Sequence, residues 1–522
     1  MNSDKLEIDK SLSILASSAV IVLIGMILSK IFSYIYRIMI ARVYGPEVYG
    51  LFLLASSIIG LLIFFVLLGF DSGIVRFIPI YLAEKKIKNI RFLVNLGFYS
   101  SIILGVIFGA ILFLSSTIIS ISIFHNSALI FFLKIFSILV PIMALTNYSL
   151  AIINGYEKIK LFSFIENIWR SGMNVLFLVF LILLGIGANS VPLSFLLAGI
   201  STLIISVIAV YKYTLHSSKE NLDKLEINEK RKARKEFIHF SIPLLFFNII
   251  SVLMGWIDSL FIGYFKTATE VGVYNSAVPI ALLLYIAPQL FTKLFLPMVS
   301  REYGRRKIEV IKQLTQQVGK WILLINLPIF LVLFLFPENF INLLFGAEFT
   351  SAGTALRILI INALFLSVCR VSNRLLTMAG KTKTILIDII IAVIVNIILN
   401  TILIPMPFVF GIENSSGING AAIATTIASI LIGALFLIQA NKTLSILPLR
   451  RKMLNIILAG IIAAIFTIII SKFIKLGVLG LIMTAIFLGL SYLVLIFLFK
   501  GLDKNDFFIL RKFMRKFKIS KK

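Results

Sequence analysis

A single cysteine, Cys369, stands in 522 residues. One thiol closes no disulfide within the chain, and no cysteine or histidine group has metal-ligand spacing. Histidine is nearly as scarce. His125, His216 and His239 are scattered and belong to no ligand motif. Charge is thin too, at 14% of residues, where a soluble domain carries ~25%. Acids are the rarer sign, with 23 Asp+Glu against 50 Lys+Arg. No Walker loop, HExxH, GxSxG or dinucleotide fingerprint occurs. No cofactor is therefore expected, and ATP-driven transport by this chain alone is not.

What fills the chain instead is apolar. Sixty per cent of the residues are hydrophobic, and the mean hydropathy is +1.05. Such a chain needs lipid as its main solvent. In lipid the backbone must satisfy its own polar groups, so spans are helices or closed barrels. Barrel strands would alternate over ~10 residues, whereas these runs are continuous and long enough for helices. The reading is an all-α integral membrane protein. Its predicted spans are 12–40, 48–80, 92–115, 128–154, 161–187, 191–213, 237–263, 271–298, 313–336, 350–378, 384–405, 416–440, 453–472 and 476–499.

The net charge of +27 invites a nucleic-acid reading, but its distribution argues against one. Bases cluster in short loops between apolar runs. With the N-terminus inside, the cytoplasmic segments carry 36 Lys+Arg and the opposite loops four: Arg42, Lys266, Lys472 and Lys475. Strict alternation of this kind is the positive-inside rule. It predicts fourteen spans, both termini cytoplasmic and a location in the cell membrane. The segment 214–236 reads as a charged cytoplasmic linker. The basic tail, 500–522, reads as a surface element lying on anionic membrane lipids.

Two weak internal matches suggest duplication. Gly50-Leu51-Phe52-Leu53-Leu54-Ala55 opens the second span, and Gly272-Val273-Tyr274-Asn275-Ser276-Ala277 opens the eighth, 222 residues later. Leu150–Gly155 with Lys158 matches Leu375–Gly380 with Lys383 at an offset of 225. Each pair is six spans apart, so the repeats run parallel. The expected organisation is a six-helix lobe at 1–213, a second at 237–440, and two extra helices at 453–499.

Charges inside spans are costly and need a reason. Ten bases but only four acids fall there. Lys134, Lys320 and Arg357 lie near span ends, where long side chains reach the interface. The rest form faces. Lys30, Ser33, Tyr34 and Arg37 follow i, i+3, i+4, i+7, as do Arg370, Asn373, Arg374 and Thr377. Ser163, Glu166, Asn167, Arg170 and Asn174 make a third stripe, and Asn248, Ser251 and Asp258 a fourth. Pairing of Glu166 with Arg170, or of Asp71 with Arg76, would account for some of these charges. It cannot absorb bases that exceed acids by six. A surplus of cations facing an interior predicts an anionic passenger, and arginine's planar fork suits phosphate.

Several segments resemble a known family. Arg42-Val43-Tyr44-Gly45-Pro46-Glu47-Val48-Tyr49-Gly50 resembles the first external loop of polysaccharide-biosynthesis flippases, the O-antigen and lipid-linked-oligosaccharide translocases. Leu68-Gly69-Phe70-Asp71-Ser72-Gly73 with Arg76, Val271–Tyr274, Phe345–Phe349, Ala379–Lys383 and Gly417–Ala422 resemble later segments in the same order. The likeness runs over about residues 12–440. It implies two six-helix lobes around a central cavity, a fold shared with multidrug extruders and lipid II flippases. It also implies a passenger, a polyprenyl (di)phosphate carrying an oligosaccharide, with glycan assembly enzymes as candidate partners. The residues expected to hold that passenger are Lys30, Arg37, Arg76, Arg170, Lys293, Arg370 and Arg374. Asp71, Glu166, Asp258 and Asp388 are expected to pair with them or to carry a coupling ion. The competing readings are a multidrug or cation antiporter, which would want an acidic lining, a lipid II flippase, and a membrane glycosyltransferase. The last would want catalytic carboxylates in a long external loop, and these loops are short.

Overall fold

Gly45 and Pro46 stop the first long apolar run from continuing straight. Gly45 takes φ 77°, a left-handed conformation that favours glycine, and Pro46 has no N–H for the helix ladder. The computed structural model accordingly folds α1 (Asn2–Leu67) as two helical stretches joined at a kink. It describes residues 2–212, 226–473 and 477–503, and side chains from Val22 onward except those of Leu23, Ser251, Lys293 and Leu294.

The chain divides into two compact units, Met1–Gly272 and Val273–Lys522. In the first, α1 is followed by α2 (Phe70–Ala83), α3 (Ile87–Ile118), α4 (Leu129–Gly155), α5 (Ile159–Ser163), α6 (Arg170–Leu183), α7 (Ser190–Val210) and α8 (Ile227–Phe265). A π-helical stretch, Phe164–Trp169, joins α5 to α6. Next along the chain is α9 (Ala268–Ala281), and a 3-10 turn, Leu282–Tyr285, links it to α10 (Ile286–Gly304). Then come α11 (Ile308–Leu335), α12 (Pro337–Leu344), α13 (Gly353–Met378), α14 (Thr382–Leu403), α15 (Ile418–Leu444), α16 (Lys452–Ser471) and α17 (Val478–Leu498). A two-stranded hairpin, β1 (Phe408–Val409) and β2 (Ile412–Glu413), lies between α14 and α15. Of the expected linker 214–236, residues up to 225 lie outside the described ones. The remainder is already helical from Ile227. Of the tail, 504–522 lie outside them.

Among the described residues twelve helices are long and apolar enough to cross a membrane. The pair Ile227–Ile250 and Val252–Phe265, bent by 46°, makes a thirteenth when taken as one span. One of the twelve, Ile24–Leu67, has 44 residues, roughly twice the ~20 that a ~30 Å core requires. Its kink makes it two spans, which brings the count to about fourteen. The expected fold class therefore holds.

Packing in the first unit follows small residues and rings. Added Cβ atoms on Gly105 and Gly109 would fall 2.7 Å from the Pro141 Cα and the Ser137 carbonyl oxygen, so α3 and α4 touch backbone to backbone. The Tyr148 hydroxyl donates to the Leu93 carbonyl at 2.9 Å across the same pair. Phe52 and Phe136 both contact Phe195 with ring centroids at 5.5 Å, edge-on and stacked respectively. These rings join α1, α4 and α7, and each pair is worth ~1 kcal/mol beyond its buried area.

The 222-residue offset has a physical counterpart in this unit. A Cβ on Gly50 would fall 1.7 Å from the Ala268 carbonyl oxygen, and one on Gly272 would fall 2.0 Å from the Pro46 carbonyl oxygen. Pro46 and Ala268 stand 222 apart as well (268 − 46). The contact is thus reciprocal, as it must be when like elements meet about a twofold axis.

In the second unit α13 packs on α15, where Thr426 Oγ1 donates to the Ile358 carbonyl at 3.3 Å. Asn414 seats the hairpin: its Nδ2 donates to the carbonyls of Leu403 and Met406, and its Oδ1 accepts from Gly420 N–H. α16 and α17 pack on each other and on α11, where the Tyr492 hydroxyl donates to the Leu324 carbonyl at 3.1 Å. Lys320, expected near a span end, is 0% exposed and pairs at 3.0 Å with Asp503, a residue beyond the last span. Desolvation explains the pairing, because a buried ammonium needs a carboxylate more than it needs reach.

Candidate functional site

In the first span the polar stripe opens onto a cavity. Ser33 and Arg37 line a space of about 170 Å³ together with Tyr36, Phe52, Leu53, Ser56, Ser171, Asn174, Phe195 and Trp256. These residues come from both stretches of α1 and from α6, α7 and α8. The walls are held firmly. The Tyr36 hydroxyl donates to the Val191 carbonyl and stands 3.1 Å from Ser194 Oγ. Ser29 and Ser171 hydroxyls meet at 2.9 Å, fixing α1 against α6. Arg37 donates a hydrogen bond to the Tyr49 hydroxyl. Ser56 Oγ is buried with no protein partner among the described residues. One guanidinium, a carboxamide, three serine hydroxyls and aromatic walls can together hold an anionic, hydroxyl-rich group. Lys30, on the same stripe, is exposed and does not line this space.

The fifth span carries Glu166 and Asn167 on the π-helical stretch, a distortion often found at functional positions, with Ser163 and Arg170 at its two ends. Arg170 Nη1 pairs with Glu166 Oε2 at 3.2 Å and reaches Asn147 Oδ1 at 3.4 Å. Asn167 donates to Ser163 Oγ at 3.1 Å. Here the expected neighbour pairing forms. The other does not. Asp71 accepts N–H groups at the start of α2, its own and that of Ser72, which is the favourable place for a carboxylate on a helix. The Arg76 guanidinium lies over the Phe240 ring at 4.2 Å instead. Five residues along a helix puts the two side chains on different faces. Asp258 is buried in α8.

In the second unit Arg370 is half-buried on α13, with its guanidinium 4.2 Å over the Tyr285 ring. Tyr285 ends the 3-10 turn before α10. Arg374, one turn further, is exposed, and Thr377 Oγ1 bonds back to the Asn373 carbonyl. Lys293 falls on α10, but its side chain is outside the described ones. Asp388 on α14 is 2% exposed, and its Oδ2 has no hydrogen-bond partner among the described residues.

Below Asp388 runs a polar line absent from the sequence reading. Asn400 Nδ2 donates to Asn396 Oδ1 at 3.2 Å, and Asn396 Nδ2 donates to Thr425 Oγ1 at 3.0 Å. Positions 388, 392, 396 and 400 share a helix face, and all four are buried. That four-residue spacing was the available signal.

The charge balance of the seven expected cations is informative. Arg170 has its carboxylate. Among the described residues no acid lies at ion-pair distance from Lys30, Arg37, Arg76, Arg370 or Arg374. Rings and hydroxyls hold three of these five, and none is neutralised.

A family model described as polysaccharide biosynthesis protein matches residues 15–303, and one described as MatE matches residues 243–402. The chain is 24% identical over 466 residues to an uncharacterised membrane protein of Methanocaldococcus jannaschii, covering 87% of this chain and 88% of that one. It is 25% identical over 186 residues to a probable low-salt glycan biosynthesis flippase of Haloferax volcanii, covering 35% and 38%. Among solved structures, the lipid II flippase MurJ in an inward closed conformation is similar in fold. Its TM-score is 0.71 at 18% identity, over 91% of this chain and 98% of that one.

Proposed function

We propose that this chain, which belongs to the polysaccharide biosynthesis protein family, is a flippase. It moves a polyprenyl (di)phosphate-linked oligosaccharide from the cytoplasmic to the outer leaflet by alternating access. The observation that carries this reading is the set of membrane-spanning cations without carboxylates. A phosphate-bearing headgroup cannot cross ~30 Å of hydrocarbon unaided, and fixed cations with hydroxyl neighbours replace its water. Arg37 with Ser33 and Asn174 serves one part of the headgroup. Arg370 and Arg374 serve another, with Lys30, Arg76 and Lys293 contributing to the positive field. Asp388 and Asp71 supply carboxylates for a coupling ion, whereas Glu166 is committed to Arg170.

The test is sidedness. Deleting the protein should trap the lipid-linked glycan on the cytoplasmic face, and an Arg370→Ala/Arg374→Ala variant at normal abundance should not release it. Unchanged sidedness on deletion overturns the reading. The MatE match over 243–402 favours one rival, a multidrug antiporter. That rival predicts altered drug sensitivity with unaltered surface glycan.

A further inference from the structure

Asp503 draws three cations together. Its Oδ2 lies 3.0 Å from Lys320 Nζ and 2.7 Å from Arg450 Nη1, and Lys452 Nζ contacts Oδ1. The three cations are not equally buried. Lys320 and Asp503 form the floor, 0% and 9% exposed. Arg450 and Lys452 form the rim, 35% and 40% exposed. Among the described residues both side-chain partners of the Arg450 guanidinium, Asp503 and Gln317, are reached through the same nitrogen, Nη1. A guanidinium carries five N–H donors, so the rest of the fork is available to a second oxyanion.

Position supplies the second argument. Lys452 is the first residue of α16, and Asp503 follows α17 by five residues. Both helices are long and apolar enough to cross a membrane. The cluster therefore stands where two spans end together, at the depth of lipid phosphates. The N-terminus of α16 adds a partial positive charge at the same point. Asn455 Nδ2 donates to the Phe499 carbonyl at 2.8 Å, which fixes the first turn of α16 to the end of α17. This rim is therefore held in place, unlike a run of surface lysines.

We infer that this cluster binds the phosphate of an acidic phospholipid, with Arg450 and Lys452 as its ligands and the buried Lys320–Asp503 pair as the floor that positions them. The arginine fork accepts two phosphate oxygens and Lys452 acts as a point charge. This site is separate from the cations assigned to the passenger, and it stands or falls independently of them.

The experiment uses the full chain purified in a neutral detergent, with its thermal midpoint followed during titration with phosphatidylglycerol, phosphatidylcholine or inorganic phosphate. Phosphatidylglycerol should raise the midpoint saturably, and the other two should not. Arg450→Gln/Lys452→Gln should weaken the apparent affinity for phosphatidylglycerol by roughly 30-fold. Its midpoint without lipid should stay near that of the unaltered protein, because the floor pair remains. Arg450→Lys/Lys452→Arg, which keeps both charges, should retain the response. Should the double glutamine variant fail to fold, Lys452→Gln alone reads the same site with a loss of about 5-fold. An undiminished response in the glutamine variants overturns the proposal. So does stabilisation by inorganic phosphate equal to that by phosphatidylglycerol, which would mark a free-anion site.

Discussion

Replacing Gly50 and Gly272 by alanine, singly and together, tests the reciprocal contact. An alanine Cβ at 50 would lie 1.7 Å from the Ala268 carbonyl oxygen. Comfortable C···O contact needs about 3.3 Å, so the facing backbones must part by roughly 1.5 Å. Such overpacking costs about 2 kcal/mol, within the usual 1–3 range. Alanine in a helix gives back about 1 kcal/mol relative to glycine, leaving a net loss of about 1 kcal/mol. Gly272→Ala behaves alike, since its Cβ would meet the Pro46 carbonyl oxygen at 2.0 Å. In the double variant the separation is made once, while both helix gains are kept. Its net change should be near zero, against about 2 kcal/mol for the sum of the singles. The double-mutant cycle should therefore be sub-additive by about 2 kcal/mol. Equilibrium unfolding of the four proteins in mixed micelles measures it. Additivity within ~0.5 kcal/mol would refute the idea that one approach accounts for both glycines.

Other expectations follow from single contacts. Asp503→Asn takes the carboxylate from three cations, one of them buried, and should destabilise the protein by roughly 3–5 kcal/mol, read as a fall in the unfolding midpoint; a change below 1 kcal/mol would deny the floor pair its structural role. Tyr285→Leu removes the ring beneath Arg370 and should cost about 1 kcal/mol. Tyr285→Phe should cost little, and equal losses would show that the hydroxyl matters more than the ring. Arg37→Ala should slow glycolipid flipping about 10- to 100-fold, the worth of a charge-assisted hydrogen bond, in a reconstituted assay at matched protein amounts. An unchanged rate would remove Arg37 from the headgroup site.

Much of the architecture was legible because lipid enforces simple patterns. Span length and loop charge follow from the bilayer's thickness and sidedness, and the GxxxG at Gly105 and Gly109 followed from close backbone approach. Of the i, i+3, i+4, i+7 stripe, Ser33 and Arg37 line one cavity. The stripe overreached at Lys30, since a shared helix face says nothing about where a cavity ends. The aromatic walls, Tyr36, Phe52, Phe195 and Trp256, were invisible because three separate helices contribute them and rings look like ordinary core. The asparagines of α14 escaped a reading that counted only charges. Asp503 was the hardest case. Its partner Lys320 is 183 residues away, and it sits at the head of a basic tail where a carboxylate looks like solvated background.

The most direct test of the central claim is transfer itself. The purified chain would be reconstituted into vesicles with a labelled polyprenyl diphosphate oligosaccharide, and a membrane-impermeant reagent would report the glycan exposed outside over time. The account predicts protein-dependent loss of leaflet asymmetry that is absent from Arg370→Ala/Arg374→Ala vesicles. Transfer no faster than in protein-free vesicles would contradict it.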